Sequence, residues 1–163
     1  MSVQIQPIAV FRSARTVAAA DVDSLDHVNN VVWVRYVFEL AESHSRAVGL
    51  TMDAYRELGG FWIVRRHEID YRAQAHEGQE IVGTTWVYSN RGPINMRRYE
   101  FVRPSDDQVL VRAVTTWAFV DSSTGRARRP PAQAVDGFPV VDDPEKFSAY
   151  DGEPVLGPIS GDG

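Results

Sequence analysis

Between Val31 and Ala41 almost every position is apolar. Wound at 3.6 residues per turn, Val31, Val32, Trp33, Val34, Tyr36, Val37, Phe38, Leu40 and Ala41 go most of the way round the axis. Valine and aromatic residues are poor helix formers, so a helix here must be held by burial rather than by propensity. Asn29 or Asn30 supplies an N-cap, and Gly49 after Val48 supplies a stop. Past Leu40 one face turns polar, with Glu42, Ser43, Ser45 and Arg46.

The flanking pattern has a different period. Gln4 to Val17 alternates loosely and reads as a strand. Thr51 to Leu58 predicts a short second helix, ended by Gly59-Gly60. Strict alternation from Phe61 to Ala73 puts Phe61, Ile63, Arg65, His67 and Ile69 on one face and Trp62, Val64, Arg66 and Glu68 on the other. Further strands are predicted over 80–89, 96–103 and 109–121, with turns at His76-Glu77-Gly78, Gly92-Pro93, 105–108 and 122–125. From Pro130 on, little regular structure is expected. The reading is one α+β domain over residues 1–140, an antiparallel sheet of about five strands around a central helix, and an irregular tail over 141–163. One such layer leaves sheet edges and a helix face open, so a homodimer or dimer of dimers is expected.

Composition narrows the function classes. At 163 residues the chain suits one domain with a real core. With 44% hydrophobic and 24% charged residues it fits a soluble globular protein. No apolar run approaches the ~20 residues that span a bilayer, and MSVQIQPIAV lacks the basic-then-apolar order of a secretory leader. There is no Cys, hence no disulfide, thiolate zinc site or Cys nucleophile, and a reducing cytoplasm is the expected location. The net charge of −5 counts against a nucleic-acid binder. Lys146 is the only Lys among 17 basic residues, a bias that base composition alone can produce.

Chemistry concentrates in DVDSLDHVNN, residues 21–30, just before the apolar helix. Free N–H groups and the positive dipole end at a helix N-terminus can hold a developing oxyanion. A carboxylate beside them is equipment for attacking an activated carbonyl. Asp23 is then a nucleophile or general base, or else only an Asx-turn residue. Asp21 reads as a loop carboxylate or an Arg partner, and Asp26 as a solvated turn residue. His27 either assists Asp23 or packs at the helix start. Asn30 offers its backbone N–H. Glu39 reads as an i,i+4 partner of Arg35. His67 reads as a hydrogen-bonded core histidine. His44 and His76 show no ligand spacing, so no metal is predicted. Arg91, Arg97, Arg98, Arg126, Arg128 and Arg129 fall near predicted strand ends, where phosphates can be met.

DVDSLDHVNNVVWVRYVFELAES resembles the start of hot-dog acyl thioesterases, both the 4-hydroxybenzoyl-CoA thioesterase group and the acyl-ACP thioesterases. RRHEIDYRAQAHEGQEI and WAFVDSSTGRARRPP resemble their second strand and their last strand with its exit. The resemblance implies the hot-dog fold, with Asp23 in the position of the catalytic aspartate, His27 in that of the motif His and Asn30 N–H as the carbonyl donor; because some relatives in the fold use a helix carboxylate as the base, Glu39 is the rival carboxylate. Leu25 stands where the acyl-ACP enzymes carry Asn, Asp26 where the other group carries Gly, and Gln74 and Gln79 where Pro and Asp are usual. The implied activity is hydrolysis of an acyl-CoA or acyl carrier protein thioester, with Arg91, Arg97, Arg128 and Arg129 toward the coenzyme phosphates and no cofactor beyond the coenzyme A of the substrate. A non-catalytic acyl-CoA binder is the alternative. A hydratase or dehydratase ranks lower, because no Pro stands between Asp23 and His27. No nucleic acid or membrane partner is expected. The thioesterase reading requires Asp23 to face a ligand cavity beside the first helical turn, across a subunit boundary.

Overall fold

The computed structural model describes residues 2–142. Five strands form one antiparallel sheet: β1 (Val10–Thr16), β2 (Gly60–Tyr71), β3 (Glu80–Arg91), β4 (Ile94–Arg103) and β5 (Gln108–Asp121). Their order across the sheet is β1-β3-β4-β5-β2. β1 and β2 are therefore the two edges, and the twelve-residue β2 is the longer. The helix α1 (Asn30–Ala47) connects them through the short α2 (Met52–Glu57). This is the predicted α+β architecture.

α1 is shaped by burial, as its propensity requires. Trp33, Tyr36, Val37, Leu40, Ala41 and His44 are its buried residues. Their spacing of three and four keeps them on one stripe against the concave sheet face. Trp33 meets Phe101 of β4 edge-on, with ring centroids 5.5 Å apart. The helix can come this close because Gly83 sits under it. A Cβ there would lie 2.8 Å from both Leu40 Cδ2 and Phe101 Cε1. Another flank of α1 is only partly covered: Val31 is 75% exposed and Phe38 39%.

The caps agree with the sequence. Asn29 Oδ1 accepts from Val31 N–H, and Thr51 Oγ1 accepts from Ala54 N–H. Gly49 follows α1 at φ +94°, and an added Cβ would lie 2.3 Å from Gln4 O, so only Gly fits this exit.

Three expectations need correction. The first strand starts at Val10, not Gln4. The alternation in β2 is broken by a bulge between Val64 and Arg66. The inward set is Trp62 and Val64 before the bulge and His67 and Ile69 after it, because an extra residue reverses which face each later side chain takes. Beyond Pro131 the chain forms a one-turn helix, α3 (Gln133–Asp136), whose Ala134 is fully buried. The predicted irregular tail lies almost wholly outside the described residues.

Candidate active site

The segment before α1 is a closed loop. Val22 and Val28 form an antiparallel bridge, Asp23 N–H donates to His27 O at 2.9 Å, and Asp26 N–H donates to Asp23 O at 3.0 Å. Asp23 Oδ1 accepts from Leu25 N–H at 2.9 Å and from His27 N–H at 3.4 Å. These contacts fix the plane of the carboxylate. Its Oδ2 has no partner among the described residues.

The first turn of α1 leaves one donor over. Val31 N–H goes to Asn29 Oδ1, and Val32 and Trp33 N–H go to Asn29 O at 2.9 and 3.2 Å. Asn30 N–H is the remaining first-turn donor, and no described residue accepts it. The Asn30 carbonyl accepts from Tyr71 Oη at 3.2 Å, which ties the helix start to the end of β2.

His27 is half-buried and lies edge-on to His76, ring centroids 5.2 Å apart. His76 Nδ1 is 2.6 Å from the Asp26 carbonyl. A carbonyl can only accept, so this nitrogen carries the proton. Nothing in the spacing of residues 27 and 76 pairs these histidines. The signal was there only in the turn after β2, which folds back onto the loop through Val28 N–H to Ala75 O at 2.9 Å.

Asp26 stands at φ +60°, a conformation that costs L-residues energy and that Gly adopts freely. This is the position where one resembling group carries Gly. Asp21 is buried, accepting from Arg35 through Oδ1 and from Tyr36 Oη through Oδ2 at 2.6 Å. Burial would raise its carboxyl pKa. The Tyr36 and Arg35 hydrogen bonds overcome that and hold it below the usual range. It is the Arg partner that the sequence allowed.

Glu39 is also committed. Its Oε2 is 2.5 Å from Arg15 Nη2 on β1, and its Oε1 is 3.6 Å from Arg35 Nε, the predicted i,i+4 pair. It faces the β1 flank of α1. Phe38, on the other flank, packs on Trp117 of β5 and His67 of β2. His67 is half-buried and its Nδ1 lies 3.0 Å from Thr115 Oγ1, as read from sequence.

The arginines do not act as one group. Arg97 is not at a strand end: it lies inside β4, is 4% exposed and points under α1. The alternation of β4 turns it inward, so a surface contact to coenzyme phosphate from this residue is ruled out. Arg128 braces a corner, donating to Asp121 Oδ2 at 3.1 Å, Leu58 O at 3.0 Å and Gly59 O at 3.1 Å. Asp121 is pulled down to a pKa of about 2, first by the Ser123 hydroxyl and then by backbone donors. Arg91 and Arg129 are exposed.

Arg91, Arg128 and Arg129 lie at the sheet end where β2 begins, since Gly60 pairs with Asp121 and Phe119 N–H donates to Pro93 O. Asp23, His27 and Asn30 lie at the end where β2 finishes, by Tyr71. Eleven strand intervals separate the two ends, roughly 36 Å.

The described residues include cavities of about 590 and 610 Å³. The first lies between the C-terminal half of α1, α2 and the inner sheet face, lined among others by Ala41, Tyr55, Trp62, Arg97, Trp117 and Phe138. It is mostly apolar and runs from the sheet end of the arginines to the middle of the sheet, where Phe38 and Arg97 line it. The second is a polar basin around Glu100 and Arg112. Asp23 is exposed and lines neither. Within one chain, the carboxylate and the apolar cavity are thus not brought together.

A family profile described as the thioesterase-like superfamily matches residues 17–140. An acyl-[acyl-carrier-protein] hydrolase of Cuphea viscosissima, FATB3, is 24% identical over 165 residues, covering 90% of this chain and 39% of that protein. The chain thus spans well under half the length of that curated relative. A 1,4-dihydroxy-2-naphthoyl-CoA thioesterase from Synechocystis superposes with a TM-score of 0.70 at 20% identity, over 78% of this chain and 96% of that one. A Staphylococcus aureus protein solved in complex with CoA superposes with a TM-score of 0.73 at 12% identity, over 79% and 81%. At these identities the structural likeness establishes the hot-dog fold.

Proposed function

Because the chain belongs to the thioesterase-like superfamily, we propose that it hydrolyses an acyl-CoA or acyl carrier protein thioester to the free acid and thiol. The observation that carries this reading is the pairing at the start of α1. There, a carboxylate is pinned through Oδ1 with Oδ2 unpartnered, beside a helix turn whose Asn30 N–H has no acceptor among the described residues. Asp23 Oδ2 either attacks the thioester carbon, giving an anhydride that water then opens, or takes the proton from a water that attacks. In both cases the C–S bond breaks and the thiolate leaves. The carbonyl oxygen gains charge, and Asn30 N–H is the donor placed for it. His27, whose backbone N–H donates to Asp23 Oδ1, is the residue we assign to assist it. Arg91 and Arg129 are the exposed guanidiniums left to meet coenzyme phosphates or an acidic carrier protein.

A second copy of the chain supplies what one copy lacks. β2 is an unpaired edge of twelve residues with Ile63 and Tyr71 39% and 45% exposed. If two copies pair antiparallel along β2, the Tyr71 end of one meets the Gly60 end of the other. That symmetry brings Asp23 of one subunit toward the apolar cavity and arginines of its partner. The partly covered flank of α1, with Val31 and Phe38, would be buried in the same interface.

A non-catalytic acyl-CoA binder is the second reading, favoured by the exposure of Asp23 and its Asx-turn contacts. Thiol release separates the two. On a panel of acyl-CoAs, Asp23→Asn should cut kcat by at least ~100-fold, as loss of a general base does, and Glu39→Gln should change it only a few-fold. Wild-type rates in Asp23→Asn would discard the assignment. Ligand affinity without thiol release in the parent protein would establish the binder.

A further inference from the structure

The apolar cavity contains a cation with no counter-charge. Arg97 is 4% exposed. Its Nη1 donates to His44 Nδ1 at 2.7 Å and to Thr85 Oγ1 at 3.3 Å, and its guanidinium stacks 4.9 Å from the Phe138 ring centroid. Neither hydrogen-bond acceptor is charged. His44 Nε2 donates to Ile8 O at 2.7 Å, so its Nδ1 is the bare nitrogen of a neutral imidazole. No carboxylate forms an ion pair with Arg97 among the described residues. Its Nε–H and both Nη2 protons also have no acceptor there. An Arg stays protonated in proteins, and burying its charge without a counter-ion is unfavourable. A neutral donor would have served His44 and Thr85 as well. The charge is what their contacts leave unexplained.

The surroundings say what would complete it. Arg97 lines a cavity of about 590 Å³ together with Trp62, Trp117 and Phe138, which suit an apolar body. Tyr55 lines it too, and burial raises the pKa of its hydroxyl, which keeps the proton available to donate. A planar fork of free N–H groups in an apolar chamber matches a carboxylate bound in bidentate fashion. We propose that this cavity binds an apolar ligand bearing a carboxylate, which seats on Arg97. Two sources share that chemistry. One is a free carboxylic acid, the reaction product included. The other is an acyl thioester whose chain carries a second carboxylate at its far end. The step from cavity to substrate rests on the thioesterase reading above; the binding site itself does not.

The test uses the intact protein and the fluorescence of Trp62 and Trp117, which line the cavity. Titration with dodecanoic acid should show saturable binding at least roughly tenfold tighter than dodecanol. Arg97→Met should keep the alcohol affinity and lose the preference for the acid. Removing a buried unpaired charge for a side chain of similar length should leave the fold intact, which circular dichroism checks. Arg97→Lys keeps the charge without the fork and should retain part of the preference. Equal affinity for acid and alcohol in the wild type, or an acid preference that survives Arg97→Met, overturns the proposal. The source is read from kcat/KM for an acyl-CoA with a terminal carboxylate against its unsubstituted counterpart. A preference that vanishes in Arg97→Met assigns the ligand to the substrate chain. No preference, with acid binding intact, assigns it to a free acid. If no thioester is turned over at all, the catalytic reading fails while the fluorescence arm still decides the site.

Discussion

At the scale of single residues, the most consequential group outside the loop before α1 is His44. It is fully buried between Phe11, Phe138 and Arg97. Burial first, and then the Arg97 charge, lower its pKa from 6.5 to about 3. In the unfolded chain the imidazole titrates near its ordinary value. Between the two values the unfolded state holds the extra proton, so folding stability is full above about pH 6.5 and is lost as pH falls toward 3. From pH 7 to pH 5 this amounts to about 2 kcal/mol. Urea midpoints at the two pH values should show it, and His44→Gln should flatten the difference. Equal midpoints in the wild type would mean that the imidazole is not held neutral. Asp26 gives a second residue-scale expectation. At φ +60°, Asp26→Gly should leave Tm unchanged or raise it, and Asp26→Val should cost about 1–2 kcal/mol, read by thermal melts. Contacts set by local spacing were legible in advance, such as the Arg35–Glu39 pair and the Asn29 cap. Arg97 was not. In a strand written INMRRYEFVR, either of two adjacent arginines can face inward, and only the register with β3 and β5 decides which.

At the scale of elements, α1 shows why its place was readable and its surroundings were not. The caps and the exit Gly are local chemistry, and they located both ends. The apolar ring around the helix correctly announced burial. It did not say that one flank would be left partly exposed, because Val31 and Phe38 look the same in sequence as Val37 and Leu40. In β2 the reading failed where a bulge intervened, since period-two arithmetic has no term for an extra residue. The fit of α1 on the sheet rests on the missing side chain at Gly83. Gly83→Ala would push a methyl group against Leu40 and Phe101, both essentially fully buried. Overpacking of this kind costs roughly 1–3 kcal/mol. Chemical denaturation should show that loss with the sheet's circular dichroism unchanged at zero denaturant. An unaltered midpoint would mean that helix and sheet can separate without penalty.

At the scale of the whole molecule, the separation of the two ends of the sheet becomes a prediction about subunits. In one chain the Asp23 loop lies by the Tyr71 end of β2 and does not line the apolar cavity, which runs from the Gly60 end to the middle of the sheet at Phe38 and Arg97. A working thioesterase built from these parts must therefore borrow across a two-fold axis. Two inactive variants should then rescue each other. Asp23→Asn removes the carboxylate, and Ser45→Trp fills the cavity from α1. Each homodimer would be dead. A mixed dimer, however, joins the intact carboxylate of one subunit to the intact cavity of the other at one of its two sites. Equal amounts refolded together give mixed dimers in about half of the population, so thiol release should recover to about a quarter of the wild-type rate. Recovery requires exchange of subunits, so mixing folded dimers without denaturation should restore activity only as fast as they dissociate. Failure to recover in a verified mixed dimer would place the carboxylate and the cavity it serves in the same chain, where Asp23 lines no part of that cavity.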